Sequence, residues 1–71
     1  MSLAKDFGKH LALVRQSRGL SQRRLAALSG LDASTINHLE HGTRAPSFAS
    51  LEALGKALRC NVVVGFEGWR P

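Results

Sequence analysis

The chain has 71 residues, with ten Lys and Arg against five Asp and Glu, a formal net charge of +5 with neutral histidines and a pI near 10.8. A composition of 44% hydrophobic and 21% charged residues is that of a globular chain rather than a disordered one. The length excludes a multi-domain enzyme, and a domain this small buries only about 60% of its unfolded surface, so it gains from a partner. No apolar run approaches the roughly 18 residues of a membrane-spanning helix. The start, MSLAKDFGKH, lacks the apolar stretch of a secretory signal. Cys60 is the single cysteine, which excludes an internal disulfide and fits a reducing, cytoplasmic setting. The aromatics, Phe7, Phe48, Phe66 and Trp69, are too few for a base-stacking platform. The charge points to a polyanionic partner, but bears on association and not on fold.

Taken in chain order, Phe7, Leu11, Val14 and Arg18 recur at helical spacing and Gly19 follows as a stop, which predicts a helix over about 5–18. Ser21 is placed to cap a second helix over about 22–29, carrying Leu25, Ala26 and Leu28 and closed by Gly30. Asp32 caps a third over about 33–41, ending at Gly42. Pro46 and Ser47 introduce a fourth, about 47–59, with an apolar stripe of Phe48, Leu51, Leu54, Ala57 and Leu58. Gly55 weakens that helix by up to about 1 kcal/mol relative to Ala.

The tail changes character. Residues 61–66, Asn-Val-Val-Val-Gly-Phe, are β-branched and aromatic and read as a strand. A strand needs a neighbour for its backbone groups, and the sequence holds no second strand-like run. Its partner is therefore expected from another chain. A two-stranded ribbon across a dyad would place Val62, Val63, Val64 and Phe66 in a homodimer interface.

The most informative stretch is LSQRRLAALSGLDASTINHLEHG, residues 20–42. Two short helices flank a tight turn at Ser29-Gly30-Leu31-Asp32, and Gly30 supplies the positive φ such a turn commonly needs. Leu25, Ala26, Leu31, Ile36 and Leu39 are placed to lock the two helices together. That is the layout of a DNA-binding helix-turn-helix. On a helical wheel with Ala33 at zero, Asn37, His41, Ser34 and His38 fall within roughly 140° on one side, whereas Ile36 and Leu39 lie near 300° and 240°. The polar side carries short groups and two imidazoles, without a carboxylate to repel phosphates. It suits a recognition helix.

These residues resemble the phage repressor and Cro (XRE) family of helix-turn-helix regulators. The resemblance rests on Arg15, Leu20-Ser21-Gln22, Leu25-Ala26, Gly30-Leu31, Ile36, Leu39-Glu40, Gly42 and Pro46-Ser47. It spans about residues 7 to 59. It implies an all-α, four-helix repressor-like domain in which Gln22, Ala33, Ser34, Asn37 and His38 contact bases. Ser21, Gln22, Arg23, Thr35, His41, Thr43 and Arg44 would contact phosphate. It also implies a structural ion pair between Arg15 and Glu40, whose positions beside the inner faces favour a partly buried pair. Ala33 departs from the long polar reader often found there and offers only a methyl, suited to thymine. The strand-like tail is similar to the HipB-like antitoxin branch of the family.

Other chemistries have little support. His38 and His41 are three residues apart, but no CxxC, HExxH or acidic ligand cluster accompanies them, so no metal is expected. Gly55-Lys56 is not a phosphate loop, since Ser50 stands where the first glycine is required. Nothing orders Ser, His and Asp into a triad, and no paired carboxylates occur. The expectation is a non-enzyme without cofactor or small-molecule substrate, acting as a dimeric repressor on near-palindromic double-stranded DNA, with no membrane partner. The alternative is an antitoxin that also binds a toxin protein.

Overall fold

The computed structural model describes residues 2–59, which form four helices: α1 (Leu3–Ser17), α2 (Gln22–Ser29), α3 (Ala33–His41) and α4 (Phe48–Leu58). Among the described residues there is no strand; the strand expected at 61–66, with Val62, Val63, Val64 and Phe66, lies outside them. Each helix opens on a side-chain cap of the type that satisfies an orphan backbone N–H. The hydroxyl of Ser21 accepts from Arg24 N–H at 3.0 Å and that of Ser47 from Ser50 N–H at 3.0 Å. The carboxylate of Asp32 accepts from Thr35 N–H at 3.0 Å. α1 begins at Leu3 instead of residue 5, because Ser2 caps it by accepting from Lys5 N–H at 3.3 Å. α2 and α3 end on Gly30 (φ 79°) and Gly42 (φ 74°), left-handed conformations that cost an L side chain energy.

The core takes two residues from each helix: Phe7 and Leu11, Leu25 and Ala26, Ile36 and Leu39, Leu54 and Leu58. Val14, Leu20, Leu31, Ala33, Leu51 and Ala57 pack around it, half-buried. α1 packs on α3, and α2 packs on both α3 and α4. No polar or charged residue is buried among those described. Phe48, which heads the predicted stripe of α4, is instead 87% exposed. On the wheel it stands about 80° from Leu58 and 120° from Leu54, so the face that buries those two turns it away. Leu28 is exposed for the same reason, about 110° from the middle of the Leu25–Ala26 face.

A backbone contact sets the distance between α1 and α3. A Cβ on Gly8 would lie 2.5 Å from the carbonyl oxygen of Glu40 and closer still to that of Leu39. No side chain can yield there, since both obstacles are main chain. Three residues earlier on the same face of α1, Lys5 covers Gly42, whose Cβ would lie 2.5 Å from Lys5 Cγ. From just past the end of α1, Arg18 donates from Nε to the carbonyl of Leu58 at 2.7 Å, placing a cation at the C-terminus of α4 where the helix dipole favours one.

Two outcomes are expected from this framework. Gly8→Ala should destabilise the domain by about 1–3 kcal/mol, the usual cost of overpacking a tight contact, in urea unfolding followed by circular dichroism. A wild-type midpoint would show that α1 can back away freely. At the head of α3, the hydroxyl and N–H of Thr35, then Ser34 and the nearby Arg44, hold the Asp32 carboxyl below its ordinary range. A depressed folded-state value means this stabilisation is present above the unfolded value of about 3.9 and is lost as pH falls through the folded one. Asp32→Asn keeps an acceptor at the cap. It should therefore lose less stability than wild type between about pH 5 and about pH 3.

Candidate nucleic-acid interface

α3 meets the rest of the domain along Ile36 and Leu39, with 0% and 1% exposure. The 100° step per residue then turns Ser34, Asn37, His38 and His41 outward, and all four are exposed. Ala33 and Thr35 are half-buried at the edges of this face. α2 and α3 have no acidic residue in their first turns. Ser21, Arg23 and Arg24 lie exposed around the start of α2, and Thr43 and Arg44 lie exposed after the end of α3. The face so framed is polar and cationic at its margins. It can present hydrogen-bonding groups to the edge of a large polyanion.

The polar groups are organised from beneath by one ion pair. Arg15 donates from Nε to Glu40 Oε2 at 2.6 Å and from Nη2 to Oε1 at 3.1 Å, a bidentate pair. The third guanidinium arm donates from Nη1 to the carbonyl of Leu20 at 2.8 Å. The side chains are 12% and 6% exposed, so the pair is largely withdrawn from water. The hydrogen bond to Glu40 raises the guanidinium's pKa further above its ordinary value, and Arg15 stays charged throughout the working range. Glu40 Oε1 also accepts from Gln22 Nε2 at 3.0 Å, and the same nitrogen donates to Asn37 Oδ1 at 3.3 Å. The structure thus brings Arg15, Glu40, Gln22 and Asn37 into one network spanning α1, α2 and α3.

The two imidazoles are fixed locally. His41 donates from Nδ1 to the carbonyl of Asn37 at 2.8 Å, since a carbonyl can only accept. His38 Nδ1 lies 3.1 Å from Thr43 Oγ1, while that hydroxyl donates to the His38 carbonyl at 3.2 Å. Having given its single proton to the carbonyl, the Thr43 hydroxyl accepts from His38 Nδ1–H. In the neutral ring, Nε2 is therefore left as an outward acceptor. Ser34 donates to Asp32 Oδ1 at 3.3 Å, which ties it to the cap of its own helix.

Two residues of structural weight are missed by sequence reasoning. Gly8 carries a signal, a glycine inside an otherwise helical pattern, but which neighbour it admits is a tertiary matter. Arg18 is read from the sequence as the last position of the α1 stripe, but it is exposed just past the end of that helix and caps α4. Among the described residues, no group of three or more His, Cys, Asp or Glu could hold a metal ion. No helix there is long and apolar enough to cross a membrane.

Comparison with known proteins agrees with this geometry. A helix-turn-helix family model (HTH_3) matches residues 11–64. The chain is 47% identical over 49 residues to the HTH-type transcriptional regulator PuuR of Escherichia coli (strain K12), covering 69% of this chain and 26% of that protein. It thus spans about a quarter of the length of that relative. An uncharacterized HTH-type transcriptional regulator of Sinorhizobium fredii, y4dJ, is 34% identical over 58 residues, which cover 82% of this chain and 75% of the relative. Among solved structures, the restriction-modification controller protein C.AhdI from Aeromonas hydrophila superposes with a TM-score of 0.81 at 39% identity, covering 83% of this chain and 89% of that one. The chain belongs to the helix-turn-helix (XRE-type) family, whose matching members are transcriptional regulators by name.

Proposed function

We infer that the protein is a sequence-specific, double-stranded DNA-binding transcriptional regulator that represses by occupying its operator. The observation that carries this reading is α3 itself: a helix with a fully buried apolar side, an acid-free polar side, and cations at its margins. Such a helix fits a major groove, where base edges present donors and acceptors. Ser34, Asn37 and His38 would read bases, and Ala33 would offer its methyl to thymine. Ser21, Arg23, Thr35, His41, Thr43 and Arg44 would set register on the phosphates.

The working unit is a homodimer, whose two recognition helices would enter successive major grooves about 34 Å apart on a near-palindromic site. What supports the dimer is the apolar composition of Val62, Val63, Val64 and Phe66, which favours pairing over solvation. The antitoxin alternative is not favoured, since the relatives reported above are named as regulators.

Selection of bound oligonucleotides at a fixed salt concentration tests the reading directly. It should return two inverted half-sites, and a pool without sequence preference would refute base reading. On the selected site, His38→Ala is expected to cost about 1–3 kcal/mol and to relax preference at one base pair. An equal loss on random DNA would make His38 a general-affinity residue. Arg44→Ala should weaken all sequences alike and reduce the salt slope by about one unit in filter-binding titrations. An unchanged slope would remove Arg44 from the phosphate contacts.

A further inference from the structure

Building on the regulator reading, we propose that Glu40, whose side chain is only 6% exposed, sets the hydrogen-bond polarity of the recognition surface. In this scheme Gln22 meets DNA as an acceptor for an exocyclic base amine and not as a phosphate contact. The argument is one of donors and acceptors. A carboxylate can only accept, and Glu40 Oε1 is approached by Gln22 at 3.0 Å, so the atom facing it must be the amide nitrogen. That NH2 group has two hydrogens, and the second points to Asn37 Oδ1 at 3.3 Å. With Gln22 offering a donor, Asn37 must turn its carbonyl inward, because the opposite orientation would set one NH2 group against another.

Both amides are therefore ordered. The other arm of the Gln22 amide, Oε1, is left as an acceptor, and the other arm of Asn37, Nδ2, is left with two donor hydrogens. Phosphate oxygens also only accept, so Gln22 Oε1 is repelled by the backbone of DNA. Its complement in the major groove is an exocyclic amine, N6 of adenine or N4 of cytosine. Asn37 Nδ2 complements N7 or O6 of guanine, N7 of adenine or O4 of thymine. Glu40 is the positioning residue, and it is itself held by the two N–H groups of Arg15 at 2.6 and 3.1 Å. The polarity runs outward from a withdrawn ion pair through Gln22 to Asn37.

The test uses the full chain and the operator returned by selection. Each adenine is replaced by purine and each cytosine by its analogue without the N4 amine. Separately, each phosphate is replaced by a neutral methylphosphonate. Removal of one amine should weaken the wild type about tenfold and leave Gln22→Ala unaffected. The methylphosphonate penalties should be the same for both proteins. A methylphosphonate penalty that vanishes in Gln22→Ala, or the absence of any amine coupled to Gln22, overturns the proposal. Glu40→Gln offers Gln22 either an oxygen or an amide, so discrimination at the coupled base pair, read as the ratio of affinities for the matched and the amine-free site, should fall about tenfold. Should that variant fail to fold, hydrogen exchange of the wild type decides Glu40's role. The Gln22 side-chain amide hydrogens should exchange at least about tenfold more slowly than those of exposed Gln16, and equal rates refute it. A selection without any motif would overturn the regulator reading together with this proposal. A clear motif with Gln22 coupled to phosphate would overturn this proposal alone.

Discussion

Three helices converge on Glu40. Its carbonyl rests against Gly8 of α1, its carboxylate takes two N–H groups of Arg15, and its remaining capacity goes to Gln22 of α2. An isolated ion pair on a surface contributes little to stability. This one is different in setting, since both side chains are withdrawn from water and every arm of the guanidinium has an acceptor. Removing either partner would leave an uncompensated charge in a poorly solvated place. The pair thus does two things at once: it fixes how α3 lies on α1, and it orders the polar groups above it.

The apolar core supplies cohesion and no direction. Eight aliphatic and aromatic residues fill the centre without a polar atom among them, so hydrophobic burial holds the helices together but would tolerate several angles between them. Direction comes from the polar contacts at the rim: Arg15 to Glu40, Arg18 to the end of α4, and the caps at each helix start. This division explains how a domain of this size can present a defined face to a partner.

Much of the framework was legible because it is local. Ser21, Asp32 and Ser47 act within three residues of themselves, and Gly30 and Gly42 answer a backbone torsion, so short-range chemistry suffices to find them. The outward placement of Ser34, Asn37, His38 and His41 follows from helical period once Ile36 and Leu39 are known to face inward. Phe48 misleads because a stripe of apolar residues does not say which of its edges meets the core, and only packing against α2 decides that. Gly8 was beyond reach for a related reason: its importance lies in a carbonyl 32 positions along the chain. The pairing of Arg15 with Glu40 was open to family resemblance, but the orientation of the Gln22 amide depends on three helices being in place.

The contact at Gly8 separates placement from vocabulary. Because α1 and α3 touch there through main-chain atoms, the seat of α3 does not depend on which side chains project from its far side. Ser34 and His38 engage only their own helix and the turn beyond it, and Ala33 sits at the edge of the core. These positions can drift during divergence without disturbing the scaffold that holds them. On the proposed reading of α3, a lineage built on this frame could acquire new target sequences by small steps, each intermediate still folded and still docked at the same angle.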